Sequence, residues 1–205
     1  MRYSSLFNEI QLARDYTQDK RTGADFRFNV DFIKKQVFIE FQETKTVLDW
    51  LFNILIIPYP IIYNKHVIWV CLGFYLQAHA VYNMLKSDAK LKNFEDFDWY
   101  FCGWSQGGAS SMITAILIKK KRKIKSHYIG YGTPAFVFGE KSINLLKTAF
   151  ISFNNFLYHG DWIRYLVPLC SRFVSEDVIP YNQPNNLDAR HRVYGKCHYA
   201  YEGDI

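Results

Sequence analysis

One pentapeptide in this chain has the residue types and spacing for covalent catalysis: Gly103-Trp104-Ser105-Gln106-Gly107. A serine hydroxyl is a weak nucleophile until a sharp strand-to-helix turn lifts it clear of a sheet. Such a turn brings the two backbones so close that the flanking positions call for glycine. A G-x-S-x-G this short arises by chance in roughly one chain in fifteen of this length, so its surroundings must carry the reading. Apolar Phe97–Cys102 precedes it and Gln106–Ile118 follows in a helical pattern, the strand–turn–helix setting that such a serine needs.

Acyl transfer by serine also requires a base for the hydroxyl proton, a carboxylate to orient that base, and donors for the developing oxyanion. In sheet enzymes built on this turn the chain order is Ser, then Asp or Glu, then His. Asp161 falls just after the strand-like run Ala149–Leu157, where a side chain emerges at the carboxyl edge of a sheet, and it is the leading orienter. Asp177 and Asp188 sit in an irregular tail and read as turn or surface carboxylates. Of the six histidines, His66 and His79 precede the serine, His127 lies within a strand, and His159 is only two residues from Asp161. His191 and His198 remain. Arg190 and Arg192 flank His191 and depress its basicity, which favours His198.

The elements that must position these groups follow from periodicity. Phe26–Phe32 and Val37–Phe41 read as a hairpin around Lys34-Lys35, and Thr44–Ile54 carries a helical apolar stripe that Ile57-Pro58-Tyr59-Pro60 ends. Phe74–Leu85 is a second helix; Phe97–Cys102, Gln106–Ile118 and Ser126–Tyr131 form a β-α-β unit whose strands run parallel. Gly132-Thr133-Pro134 closes that unit, Ser142–Thr148 is a short helix, and residues 1–24 are a polar arm or helix. The expected fold is α/β: a mostly parallel central sheet flanked by helices, with an N-terminal antiparallel hairpin, in one domain spanning residues 1–205.

Composition agrees. The 205 residues are 49% apolar and 18% aromatic, ample for a buried core. The net charge of +6 owes much to Lys119–Lys125, which follows the helix after Ser105 and complements the negative end of its dipole. That run has no interleaved aromatics, so no nucleic-acid partner is expected. Cys71, Cys102, Cys170 and Cys197 show no C-x-x-C spacing and read as buried thiols of a reducing compartment; no metal or cofactor is expected. The first twenty residues lack the apolar run of a secretory signal, and the apolar windows Leu51–Tyr63 and Val67–Leu76 are too short to span a bilayer. A cytoplasmic location is the expectation, with release by a non-Sec route left open.

The chain resembles the class 3 lipases, the fungal-type branch of the α/β hydrolases, from about residue 24 onward. Their G-H-S-L-G-G is similar to Gly103-Trp104-Ser105-Gln106-Gly107-Gly108, and their F-R-G-S/T with a Trp-bearing lid helix to Phe41-Gln42-Glu43-Thr44 followed by Asp49-Trp50-Leu51. Their H-x-G-F is similar to Cys71-Leu72-Gly73-Phe74, and their F/Y-G-x-P to Tyr131-Gly132-Thr133-Pro134. Their D-x-V-P-x-L-P resembles Asp161–Val167, and their H-x-x-Y matches His198-Tyr199-Ala200-Tyr201. These anchors occur in the family's order.

The resemblance implies an α/β-hydrolase fold and ester hydrolysis through an acyl-enzyme, with Ser105 as nucleophile, Asp161 as orienter and His198 as base. It places the oxyanion donors at the backbone N–H of Gln106 and at the N–H and hydroxyl of Thr44. It makes Trp50, Leu51 and Trp104 substrate-binding candidates, and a lipid or acyl ester the substrate, with transient contact to a membrane or micelle. In the family, Leu51–Tyr63 holds the lid and the loop after it; from the residues alone the same run also reads as core wall. Three positions depart from the pattern: Glu43 for Gly, Cys71 for His and Arg164 for Pro. Glu43 leaves room for another class of function, a silent scaffold that binds lipid or protein, against which the intact Ser-Asp-His order argues.

Overall fold

The computed structural model describes residues 17–41, 55–87, 94–158, 170 and 178–179. Thr44, Trp50, Leu51, Asp161 and His198, and the helix expected over Thr44–Ile54, lie outside the described residues.

The N-terminal hairpin forms as expected. β2 (Asp25–Asp31) pairs antiparallel with β3 (Gln36–Phe41), and β1 (Thr17–Gln18), from the end of the polar arm, adds an antiparallel edge. Between β2 and β3, the Asp31 carboxylate accepts the backbone N–H groups of Ile33 (3.0 Å) and Lys34 (2.9 Å), and Lys35 turns the chain at φ 51°. Phe32, read as the last strand residue, lies in this turn and is 70% exposed.

β4 (Pro58–Tyr63) and β5 (His66–Cys71) come next, then α1 (Leu72–Ser87), β6 (Asp98–Trp104), α2 (Gln106–Lys119) and β7 (Lys125–Tyr131). β8 (Val137–Phe138), α3 (Glu140–Lys147), β9 (Ser152–Tyr158) and β10 (Val178–Ile179) follow. The main sheet has the order β1-β2-β3-β6-β7-β9-β10, parallel from β3 onward. This is the mostly parallel central sheet with an antiparallel hairpin at one side that the sequence led us to expect.

Alternation sorts that sheet into two faces. Val37, Ile39, Phe41, Trp99, Phe101 and Tyr128 point to one side, each at most 1% exposed, and pack with Ala109, Met112, Ile113 and Ile116 of α2. On the other side Phe38, Tyr100 and His127 stack in one row, ring centroids 5.1 and 4.7 Å apart, on the face that also carries the partly buried cross-strand ion pair Arg27–Glu40. α1 and α2 are joined by hydrogen bonds: Ser110 Oγ donates to Gln77 Oε1 (3.3 Å) and Thr114 Oγ1 to the Ala78 carbonyl (3.3 Å), while Thr114 Oγ1 also meets the Ser110 carbonyl within α2 (2.8 Å). α2 is buried from Gln106 to Ile118, which fixes the position of its N-terminus.

The basic run after α2 lies at the surface. Lys120, Lys121, Lys123 and Lys125 are exposed, while Lys119 bends back to donate to the Ala149 carbonyl.

The apolar run before α1 is described from Leu55 onward. Its described part forms a separate three-stranded sheet, β4-β5-β8, with an antiparallel hairpin between Pro58–Tyr63 and His66–Cys71. Asn64 (φ 47°) and Lys65 (φ 65°) make the two-residue turn, the left-handed pair that a type I′ hairpin requires. Ile61, Tyr63, Ile68 and Val70 face inward and are buried; Ile62, Val67 and Trp69 face outward.

Candidate active site

Ser105 is the single residue between β6 and α2, and its backbone sits at φ 52°, ψ −125°. For a residue with a Cβ this is a sparsely populated conformation costing on the order of 1–3 kcal/mol, sustained only where the surroundings over-determine it. Here they do. The Ser105 N–H donates to the Tyr131 carbonyl at the end of β7 (2.8 Å), and the Ser105 carbonyl accepts the Gly108 N–H (2.9 Å) to open α2. The turn is pinned to the sheet on one side and to the helix on the other.

Glycine at the flanks is a steric requirement. A Cβ on Gly103 would lie 2.4 Å from the carbonyl carbon and oxygen of Gly107 and 2.6 Å from the nitrogen of Gly108, all backbone atoms of the first turn of α2. Behind that turn, Tyr128 reaches along β7 across Gly130, and its hydroxyl meets Thr133 Oγ1 at 2.7 Å. A Cβ on Gly130 would lie 1.9 Å from that hydroxyl, and one on Gly108 2.2 Å from Thr133 Oγ1. Gly103, Gly108, Gly130, Tyr128 and Thr133 therefore form one packed support beneath the serine. Burial holds the Tyr128 phenol far above its ordinary range, so it stays a neutral hydroxyl.

Ser105 precedes the first residue of α2, where a serine usually caps the helix, yet its side chain makes no capping bond. Its backbone directs the chain into the helix while its hydroxyl is not spent on the helix. The first N–H groups of an α-helix lack intrahelical acceptors and carry the positive end of its dipole. Gln106, expected to donate to the oxyanion, is the first residue of α2 and is 5% exposed, so that N–H belongs to a rigid, buried element. Trp104, the expected substrate contact before the serine, faces away from α2, opposite Gly103 in the pleat, and is 1% exposed.

The structure thus places Ser105 and Gln106 together at the carboxyl end of β6, next to Gly132-Thr133-Pro134 at the end of β7. The expected partners Thr44, Asp161 and His198 and the expected contacts Trp50 and Leu51 are outside the described residues. The support formed by Tyr128, Gly130 and Thr133 was not anticipated from the sequence; its signal was the small–large alternation Tyr128-Ile129-Gly130 just before a Gly-x-Pro turn. Among the described residues no group of three or more His, Cys, Asp or Glu could hold a metal ion.

Residues 38–169 match the sequence pattern of the family described as lipase (class 3). In fold, the chain is similar to the Lip2 lipase of Yarrowia lipolytica, with a TM-score of 0.69 at 16% identity, covering 92% of this chain and 78% of that one. It is similar to the Rhizomucor miehei triacylglyceride lipase, with a TM-score of 0.61 at 17% identity, covering 76% of this chain and 60% of that one. A third relative in fold is a triacylglycerol lipase whose catalytic centre is formed by a serine protease triad, with a TM-score of 0.60, 16% identity, and coverage of 75% and 60%. This chain therefore spans about 60% of the length of two of these enzymes. No curated protein matches it by sequence.

Proposed function

The chain belongs to the class 3 lipase family, and from that membership we propose that it is a serine carboxylester hydrolase, cleaving acyl esters of the glycerolipid or phospholipid class through an acyl-enzyme on Ser105. The observation that carries the reading is the strained backbone of Ser105 at the junction of a parallel strand and a buried helix.

His198, oriented by Asp161, takes the Ser105 proton as Oγ bonds to the ester carbonyl carbon. The oxyanion is held by the N–H of Gln106 and by Thr44. The C–O bond to the alcohol then breaks, and His198 returns the proton to the departing oxygen. Water repeats the sequence: it gives a proton to His198 and attacks the acyl carbon, and Ser105 leaves with that proton as the carboxylic acid is released.

Contact with a lipid surface has its own support. Pro60 and Ile62 on β4 stand opposite Trp69 and Val67 on β5, and Ile62, Val67 and Trp69 are 60%, 46% and 44% exposed on the outer face of the small sheet. Pro58 and Pro60 withhold two N–H groups from the edge strand and so discourage pairing with another chain. No carboxylate occurs between Trp50 and Ser87, while Lys65 sits at the hairpin tip, so the face suits an anionic lipid–water interface.

The test is hydrolysis of p-nitrophenyl esters of short and long chain. Wild type turns them over, His198→Ala does not and His191→Ala does; equal loss from both histidine variants, or no turnover by wild type, removes the reading.

A further inference from the structure

Cys71 ends β5 and Cys170 lies 99 positions further along the chain, yet their Sγ atoms are 3.4 Å apart. Both are free thiols, and both are buried, at 1% and 6% exposure. Cys71 occupies the position at which the class 3 lipase pattern has histidine, so the contact belongs to this chain and not to the pattern it resembles. A disulfide has an S–S length of about 2.05 Å, so the bond forms on a shortening of about 1.3 Å.

We propose that Cys71 and Cys170 are an oxidisable dithiol, whose disulfide ties the chain at residue 170 to the end of β5. The tie lands on a rigid point: the Cys71 N–H donates to the Phe136 carbonyl (2.9 Å), in the stretch that leads from β7 to β8, and α1 begins at the next residue. Position 170 falls between Asp161 and His198 in sequence, so the disulfide anchors the part of the chain that supplies both proposed partners of Ser105.

The oxidant is a low-molecular-weight disulfide such as oxidised glutathione. One protein thiolate attacks a sulfur of the small disulfide, whose S–S bond breaks and releases one small thiol. The second protein thiolate then attacks the protein sulfur of the mixed disulfide, and a second small thiol leaves. The two protein thiols lose two protons and two electrons, and the small disulfide gains both. Both sulfurs are buried, so the pair is shielded in the closed structure and reacts on local opening; the hydrogen bond with Cys71, and then burial, also raise the pKa of the Cys170 thiol. Sub-denaturing urea should therefore accelerate oxidation.

The test incubates wild type, Cys71→Ser, Cys170→Ser and Cys102→Ser with oxidised glutathione, then reads thiols under denaturing conditions, peptide linkage by mass spectrometry, and Tm. In wild type and Cys102→Ser, oxidation should remove two thiols, link Cys71 to Cys170, slow tryptic cleavage after Arg164 and Arg172, and raise Tm by on the order of 5–10 °C, because a long loop is closed in the unfolded chain. Neither Cys71→Ser nor Cys170→Ser should respond. Retention of all thiols by wild type, or linkage of another pair, overturns the proposal; this peptide map depends neither on a variant folding nor on ester hydrolysis.

Discussion

Replacing Gly103 by alanine asks whether close packing beneath Ser105 governs both stability and chemistry. The added Cβ would meet two backbone atoms of Gly107 at 2.4 Å and one of Gly108 at 2.6 Å, so strand and helix must part by about 1 Å to reach ordinary contact. Overpacking a core costs about 1–3 kcal/mol. The upper end applies, because the clashing atoms are backbone and α2 is buried along its length, with α1 packed against it. The comparator is Gly139→Ala, whose Cβ meets nothing within 4 Å and whose cost is that of φ 81° alone, about 1–3 kcal/mol. Urea unfolding gives the stability change, and hydrolysis of p-nitrophenyl butyrate per folded molecule gives the chemistry. Both variants should lose stability. Only Gly103→Ala should lose turnover, by roughly 100-fold, as a displacement of about 1 Å takes the serine out of line. A Gly103→Ala protein within about 0.5 kcal/mol of wild type and of undiminished activity would refute the packing argument.

Three further outcomes follow from particular residues. Ser105→Gly should abolish hydrolysis yet raise stability by about 1 kcal/mol in urea unfolding, because glycine adopts φ 52° without the strain that serine bears; Ser105→Ala should be inactive without that gain. Burial lowers the pKa of His127 below its unfolded value and Asp98 only partly offsets it, so the unfolded chain binds the extra proton first as pH falls. Stability from this group is present above about pH 6.5 and is lost below it; the urea midpoint should drop more between pH 7.5 and 5.5 in wild type than in His127→Gln. Ile62→Asp combined with Trp69→Ser should weaken co-sedimentation with vesicles of phosphatidylcholine and phosphatidylglycerol while leaving hydrolysis of a soluble ester intact; unchanged sedimentation counts against the outer face of the small sheet.

The parallel frame was legible because its elements declare themselves locally. Phe26, Phe28 and Val30 alternate into a hairpin, and an apolar run on each side of Gly103–Gly107 leaves β-α-β as the natural reading. The serine's setting was legible for the same reason, since the glycines are demanded by a contact between neighbours in sequence. The small sheet was not: Pro58 and Pro60 read as breakers, although two prolines are at home on an edge strand, and Asn64-Lys65 is a weaker turn signal than Asn-Gly. The meeting of Cys71 with Cys170 joins residues far apart in the chain, and no spacing rule reports such a contact.

The central claim is that Ser105 carries the acyl group. A fluorophosphonate probe with peptide mapping tests it most directly. The account predicts one adduct, on Ser105, with hydrolysis falling in proportion to labelling and both absent in Ser105→Ala. Hydrolysis that survives in Ser105→Ala, or a fully active protein whose adduct maps to another residue, would contradict it.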